Sequence, residues 1–347
     1  MTNRQGLVSA IVLLTLLSCG RPPSSGSPDP IVERIARASS VAGVTGDVVS
    51  VTWMADGSLV FLQDPGAYAN AKRLPMQLWR ANSNGSGLAP VPVVSQPGCA
   101  THYRQPAALD SRRFAVLKIC DTDSSSTVAI VSKDSITGQE TGLVPPETDF
   151  STTEFSWSAT RKLGMVDNGG PTPCPQLEWA DETGLHPVDI TVKETHSTWH
   201  LNGGTGACPG STRAGTAGWS PDGNTLAAFA SAIPANNAPL LPGDPWSLYF
   251  VDANSKTAAA KLDGIVYPGG SAWSKDGRLF AFSAASYRGA GPGVWIFDRR
   301  TATVSLIFKG DLGSLSWSPD GKRLAAVKRP KGDAVRYSMV LLDLWGA

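Results

Sequence analysis

Short stretches of alternating apolar and polar residues, joined by tight turns, follow one another along most of the chain. Near the C-terminal end the sequence reads SLSWSPDGKRLAAV, residues 314–327. The alternation in SLSW is typical of a half-buried strand, and RLAAV has the apolar character of a return strand. SPDG has the residues of a tight turn, because proline presets φ, aspartate bonds the following backbone and glycine supplies a positive φ. The pattern predicts an antiparallel hairpin.

The same hairpin pattern recurs along the chain. In four copies a tryptophan stands three residues before the aspartate of an Asp-Gly turn: Trp53 and Asp56, Trp219 and Asp222, Trp273 and Asp276, Trp317 and Asp320. Two degenerate copies fill the gap between the first and second of these: one with Ala107 and Asp110, and one with Trp157, Thr160 and Arg161. The six anchors at 53, 107, 157, 219, 273 and 317 give a repeat of about 50 residues, enough for four short strands per unit.

Two further strands follow the hairpin in each unit. In the fifth unit they are VWIFDRR at 294–300 and VSLIFKG at 304–310. Such sheets must stack face to face around an axis, because neither face can be left to water. The tryptophan is the bulky residue between neighbouring sheets. Its burial contributes several kcal/mol, from roughly 150–250 Å² at about 25 cal/mol per Å².

The recurring turn, tryptophan and flanking strands resemble the TolB-like family of WD-related β-propellers. The resemblance extends from about Val48 to the C-terminus and implies an all-β fold, a single six-bladed propeller of four-stranded blades over residues 31–347. The last unit ends after its third strand, at Leu344, which would leave an open sheet edge. We therefore expect a strand from residues 31–45, most simply 31–38, to complete the last blade. The sequence offers no further repeat for a seventh blade.

Composition and charge limit the class of partner. The chain has 347 residues with 36 Gly and 26 Pro, which indicates a turn-rich and helix-poor protein. Lys and Arg number 30 against 29 Asp and Glu, a balance that argues against a nucleic-acid partner. We expect a monomer.

The first 19 residues have the features of an export signal. Arg4 precedes the apolar run LVSAIVLLTLL at 7–17, which is too short to span a bilayer but suits a signal peptide. The run ends in LLSCG, which resembles the lipobox of bacterial lipoproteins and implies lipidation of Cys19. An ordinary secretory signal that contains a cysteine is the alternative. Residues 20–30, GRPPSSGSPDP, predict a flexible tether.

The remaining cysteines agree with export. Without Cys19 four are left, an even number that suggests two disulfides in an exported chain. The sequence alone allows three pairings. In the propeller that the resemblance implies, folding the hairpin of the second blade brings Cys99 opposite Cys120, and one face carries Cys174 and Cys208. We expect the pairs Cys99–Cys120 and Cys174–Cys208.

One face of the implied propeller carries the irregular loops. Connections from the second to the third strand and those leading into the next blade lie there, whereas the Asp-Gly turns lie opposite. Long loops on a rigid scaffold are where binding residues concentrate. The candidates are aromatic and arginine side chains of this face: Tyr68, Tyr103, Arg104, Trp199, Trp246, Tyr287 and Arg288. The alternative for each aromatic residue is that it packs its own loop.

Catalytic and metal-binding motifs are scarce. His196 and His200, with Glu194 beside them, have the spacing of a metal pair on a helix, but their surroundings indicate a Gly- and Thr-rich loop. We therefore expect no metal and no cofactor. The sequence contains no Gly-x-Ser-x-Gly elbow, no glycine-rich phosphate loop and no Cys-x-x-Cys pair.

These observations favour a binding protein over an enzyme. We expect a lipid-anchored, extracytoplasmic lipoprotein of the bacterial cell envelope, facing the periplasm or the exterior. Its propeller would bind an envelope protein or a surface ligand without catalysis. The alternative is a propeller hydrolase or lyase, metal-dependent if the histidines bind a metal, that acts on an extracellular carbohydrate. Fold alone does not decide between the two.

Overall fold

β-Strands are the only regular elements of the chain that the structure describes. The computed structural model describes residues 31–44, 46–66, 75–122, 124–143, 218–229, 245–252, 260–329 and 337–344, and only the backbone of the strands within 68–73, 152–200, 212–217, 230–232 and 258–259. Within these residues no helix has the length and apolarity needed to cross a membrane.

Three four-stranded antiparallel sheets come first in the chain. Sheet 1 contains β3 (Asp47–Trp53), β4 (Ser58–Asp64), β7 (Gln77–Asn82) and β8 (Ala89–Pro90), with the hairpin β5 (Tyr68–Ala69) and β6 (Lys72–Arg73) between β4 and β7. Sheet 2 contains β9 (Ala100–Ala108), β10 (Arg113–Asp121), β11 (Ser126–Asp134) and β12 (Glu140–Gly142). Sheet 3 contains β13 (Thr152–Trp157), β14 (Leu163–Asp167), β15 (Gln176–Asp181) and β16 (Gly184–Pro187). A hairpin of β17 (Thr191–Glu194) and β18 (Ser197–His200) follows.

The second half of the chain forms sheets 4, 5 and 6. Sheet 4 contains β19 (Thr212–Trp219), β20 (Thr225–Ala232), β21 (Pro245–Asp252) and the first part of β22 (Ala258–Trp273). Sheet 5 contains the last part of β22, β23 (Leu279–Tyr287), β24 (Gly293–Asp298) and β25 (Thr303–Lys309). Sheet 6 contains β26 (Leu312–Trp317), β27 (Arg323–Lys328) and β28 (Ser338–Asp343). Because β22 pairs with both β21 and β23, sheets 4 and 5 are continuous.

The N-terminal segment adds one strand to each of the last two sheets. β1 (Val32–Glu33) pairs in parallel with β25, and β2 (Arg37–Ser40) pairs antiparallel with β28 as the fourth strand of sheet 6. The fourth strand therefore begins later than the expected 31–38. Ala36, buried between the two pairings, explains the division, because it packs into the apolar cluster between sheets 5 and 6.

The first strand of each sheet lies on the inside, and we call it the inner strand. Inner strands contact one another in the order β3, β9, β13, β19, β22 and β26, and β26 contacts β3. The apolar clusters lie between consecutive sheets, as the sequence pattern predicts. One joins sheets 4 and 5, one sheets 5 and 6, one sheets 6 and 1, and one sheets 1 and 2.

Each described tryptophan of the repeat ends an inner strand, and Trp53, Trp273 and Trp317 pack against the preceding sheet. Trp53 lies in the cluster with Val327 of sheet 6, and Trp317 in the cluster with Ile296 of sheet 5. The Trp317 indole N–H donates to the Ala272 carbonyl at 3.0 Å. The Trp273 indole donates to the Gly218 carbonyl in the same way, at 2.8 Å. Trp273 and Trp317 thus join neighbouring sheets by packing and by a hydrogen bond, whereas the Trp53 indole joins them by packing without a hydrogen bond to any described residue.

The Asp-Gly turns after Trp219, Trp273 and Trp317 share one hydrogen-bond pattern, whereas in the first turn Met54 replaces the serine and Asp56 accepts from Ser58. Ser318 Oγ donates to the Asp320 carboxylate at 2.6 Å and accepts from the Arg323 N–H at 2.9 Å. Gly321, with φ +70°, supplies the left-handed conformation. The hydrogen bond from Ser318 lowers the pKa of Asp320 below its ordinary value. The serine that follows the tryptophan is therefore part of the turn.

One of the two expected disulfides lies in the described part of the chain. Cys99 and Cys120 are bonded, with their Cα atoms 5.3 Å apart. The bond joins the lead-in of sheet 2 to the end of β10. Cys19, Cys174 and Cys208 lie outside the described residues.

Candidate functional site

Five of the six inner strands line a cavity of about 720 Å³. Its described lining comes from β3, β9, β19, β22 and β26 and from the turns that follow them. We call this cavity the channel. We call the end near the Asp-Gly turns its turn side, and the end where second strands lead to third strands its loop side.

Hydroxyl groups connect the inner strands along the channel. Ser314 Oγ accepts from the Val51 N–H at 3.1 Å and lies 3.2 Å from Ser50 Oγ. Ser316 Oγ accepts from the Trp53 N–H at 2.9 Å. These contacts join sheet 6 to sheet 1 from the inside.

A β-bulge interrupts every inner strand before its C-terminal end. The register against the second strand shifts at Val48/Ser50, at Ala107/Arg104, at Thr152/Glu154, at Ala214/Ala217, at Pro268/Ser271 and at Gly313/Leu315. Bulges leave a residue without a ladder partner and often lie beside functional sites. The sequence pattern does not predict them, because a bulge is defined by the pairing with the second strand rather than by the inner strand alone.

Backbone strain and close packing accompany two of these bulges. Gln105 and Ser314, both in the channel wall, have φ of 50° and 42°. Non-glycine residues in this region cost about 1–3 kcal/mol and concentrate at binding and catalytic sites. Gly270 is required where β22 approaches β26, because a Cβ there would lie 2.4 Å from the Ser314 nitrogen.

The charged residues of the described lining lie at the ends of the channel. Asp110 and Lys275 belong to the turn side, and the Asp110 carboxylate accepts from the Arg113 backbone and side chain within its own turn. Arg329 lies at the loop side, 3.6 Å from Asp311. Between the ends the described wall is uncharged. No group of three His, Cys, Asp or Glu residues able to hold a metal is found in the described part of the chain.

Two candidate binding residues belong to the core. Tyr103 is 1% exposed and Tyr287 is 0% exposed. Their burial agrees with the alternative that these aromatic residues pack within the fold, and a binding role for them stays a prediction. The Tyr103 ring packs between sheets 1 and 2, and the Tyr287 ring lies 5.6 Å from that of Phe282. Both end up inside because the strands extend further than the sequence pattern indicated.

The other candidates have different surroundings. Arg104 and Arg288 are exposed, and Trp246 packs at the edge of the cluster between sheets 4 and 5. Arg288 has a φ of 47° and its guanidinium lies 5.2 Å from the Tyr287 ring centre. For Tyr68, Trp157, Trp199 and His200 the structure describes only the strand backbone, and His196 lies outside the described residues. The roles that the sequence predicts for these side chains stay predictions.

Sheet 2 also contains a buried ionic cluster that the sequence pattern did not predict. Lys133, 0% exposed, donates to the Glu140 carboxylate at 2.8 Å, and Lys118 donates to its other oxygen at 2.8 Å. The Tyr103 hydroxyl donates to Glu140 at 2.5 Å. Burial raises the pKa of Glu140, but the hydrogen bonds from Lys118 and Lys133 bring it below its ordinary value. The signal was a lysine at an inward position of the apolar strand VAIVSK.

Comparison with known proteins supports the fold rather than a family. No protein-family model and no curated protein matches the chain. Among solved structures, TolB from Acinetobacter baumannii superposes with a TM-score of 0.54 at 17% identity, over 88% of this chain. The chain spans 66% of the length of that TolB.

Two further structures are similar. A chain of the mitotic checkpoint complex superposes with a TM-score of 0.50 at 11% identity, covering 98% of this chain and 100% of its own. An oligogalacturonate lyase in complex with manganese gives a TM-score of 0.48 at 12% identity, over 90% and 97% of the two chains. Together with the stacked four-stranded sheets and the repeated tryptophan turns, the first two matches show that the chain has a β-propeller fold.

Proposed function

We propose that the six sheets are six blades of a closed ring. The contact of β26 with β3 supports closure, because it returns the order of inner strands to its start. Two sets of contacts lie at this junction: the hydrogen bonds of the Ser314 and Ser316 hydroxyls on the inside, and the pairing of β2 with β28 on the outside. The single propeller would then extend over residues 31–347, as the sequence predicts.

The ring is proposed to be anchored in the cell envelope. The lipobox-like LLSCG and the polar stretch 20–30 support lipidation of Cys19 and a tether. The Cys99–Cys120 bond agrees with an oxidising compartment. Labelling with a palmitate analogue, followed by fractionation, tests the anchor. The wild type should be labelled and sediment with membranes, whereas Cys19→Ala should lose the label; an unlabelled wild type contradicts the anchor.

The propeller acts, in this proposal, as a binding platform without catalysis. The observation that carries it is the channel wall, which combines strained bulges with an uncharged middle. General acid–base catalysis needs a titratable group at the reacting atoms. Among the described lining residues the only carboxylate is Asp110, which already accepts a hydrogen bond from the Arg113 N–H in its own turn. We therefore favour binding over the alternative of a carbohydrate-cleaving enzyme.

Crosslinking from the two sides of the ring tests the platform. A photoreactive amino acid replaces Arg288 on the loop side, and Lys322 serves as the matched control in an Asp-Gly turn; both positions are exposed or partly exposed. In cells we expect one discrete adduct from position 288 and none from position 322. Equal adducts from both positions, or none from either, would contradict a loop-side partner.

A further inference from the structure

The channel wall does not present an open strand edge at its first blade. The N–H groups of Val51 and Trp53 on β3 already donate to the hydroxyls of Ser314 and Ser316. The Ala108 N–H on β9 donates to Thr52 Oγ1 at 3.3 Å. An extended peptide binds by strand addition only where main-chain groups are unpaired. This part of the wall is therefore unsuited to an added peptide strand.

The hydroxyls that cap these N–H groups keep a donor of their own. A serine or threonine hydroxyl has one hydrogen to donate and can accept two hydrogen bonds. Thr52 and Ser316 accept from the backbone, and their hydrogens have no acceptor in the described part of the chain. The Ser271 hydroxyl, on the neighbouring inner strand β22, lines the same cavity and has no hydrogen bond to any described residue. The wall thus offers O–H donors from three inner strands.

The described part of the channel wall favours an uncharged ligand. Its described charged residues lie at the two ends, and the stretch that holds Thr52, Ser271 and Ser316 has none. A charge buried without a partner is costly, so an ion would lack compensation there. The volume of about 720 Å³ lies within the range of small-molecule sites.

We propose that the middle of the channel binds a neutral sugar of one or two rings. The inference rests on the proposed binding function and specifies its ligand. Sugar hydroxyl and ring oxygens accept hydrogen bonds from Thr52, Ser271 and Ser316, which all line the cavity. The hydroxyl groups of the wall then recognise the oxygen atoms of the ligand, rather than a charge or a peptide backbone.

Calorimetry with defined probes tests the proposal. Cellobiose, maltose and lactose are titrated into the intact protein, with glucuronate and a neutral capped tetrapeptide as competing classes. At least one disaccharide should bind saturably, with a dissociation constant of about 1 mM or lower. Ser271→Ala should weaken binding about three- to tenfold, the loss of one hydrogen bond. Ser305→Ala, on β25 outside the channel lining, is the matched control and should bind as the wild type does.

Several results would overturn the sugar assignment. These are the absence of saturable binding by all three disaccharides, tighter binding of glucuronate or of the peptide, and an equal effect of Ser305→Ala. Ser271→Trp, which fills the channel, should abolish sugar binding while thermal unfolding stays cooperative. Crosslinking from position 288 is measured in parallel. An adduct from position 288 without any sugar binding contradicts the sugar site alone. The absence of that adduct contradicts the proposed binding function of the propeller.

Discussion

The Glu140 carboxylate is the centre of the buried ionic cluster in sheet 2. It holds Lys133, which has no exposure to solvent, and Lys118. Removing one partner of a buried pair leaves an uncompensated charge, which typically costs about 3–5 kcal/mol. We expect Glu140→Gln to lower the free energy of unfolding by about 3 kcal/mol, measured by urea denaturation.

An exposed pair provides the matched control for that change. Glu33 and Lys309 lie 2.9 Å apart with more than half of each side chain exposed. Exposed pairs contribute about 0–1 kcal/mol, so Glu33→Gln should have little effect. Similar losses from the two variants would show that the buried cluster has no special role.

The aspartates of the Asp-Gly turns predict the response to acid. Hydrogen bonds from Ser274 and Ser318 lower the pKa values of Asp276 and Asp320 below the ordinary 3.8. A lowered pKa in the folded state contributes stability above the ordinary value, which is lost as the pH falls through the folded pKa. The unfolding free energy should therefore decline below about pH 4.

The double variant Ser274→Ala and Ser318→Ala isolates this contribution. Without the serine donors the two carboxyls return toward ordinary pKa values. The variant should be less stable near neutral pH and should lose less stability on acidification. Parallel pH profiles for the variant and the wild type would contradict the assignment.

At the scale of elements, β2 protects the outer edge of sheet 6. It pairs with β28 from Arg37↔Asp343 to Ser40↔Val340. Proline removes a backbone donor and is poorly tolerated within a paired strand. We expect Ala38→Pro with Ser39→Pro to lower the melting temperature and to speed hydrogen exchange in β28. Ala38→Ser with Ser39→Ala is the control, and exchange in β28 that is equally fast in both variants would contradict the role of β2.

How far the sequence predicts these elements depends on where their causes lie. The hairpins and the tryptophan contacts follow from local patterns, because turn residues and alternation act within a dozen positions. The need for a strand from 31–45 follows from the missing fourth strand after Leu344. The parallel pairing of β1 was not predicted, since it depends on the edge of β25, some 270 residues away in the chain. The hydroxyl caps in the channel were missed for the same reason, because each joins two different sheets.

At the scale of the whole molecule, the junction of sheets 6 and 1 depends on Ser314 and Ser316. Replacing both by alanine leaves the Val51 and Trp53 N–H groups without their acceptors. An unsatisfied buried group costs about 1–3 kcal/mol, and water in the channel should keep the loss near the lower end. We expect faster amide exchange at these two residues and a modest loss of stability. Ser305→Ala is the control. Unchanged exchange at the Val51 and Trp53 amides would contradict the role of the two hydroxyls in joining sheets 6 and 1.

The length of β22 has a consequence for how a movement of one sheet affects the next sheet. Its 16 residues serve first as the outer strand of sheet 4 and then as the inner strand of sheet 5. A tilt of one blade is therefore transmitted to the next along an unbroken backbone, with no hinge loop to absorb it. New chain ends placed by circular permutation within this strand would disrupt two blades at once, whereas ends placed in an Asp-Gly turn would interrupt a single hairpin.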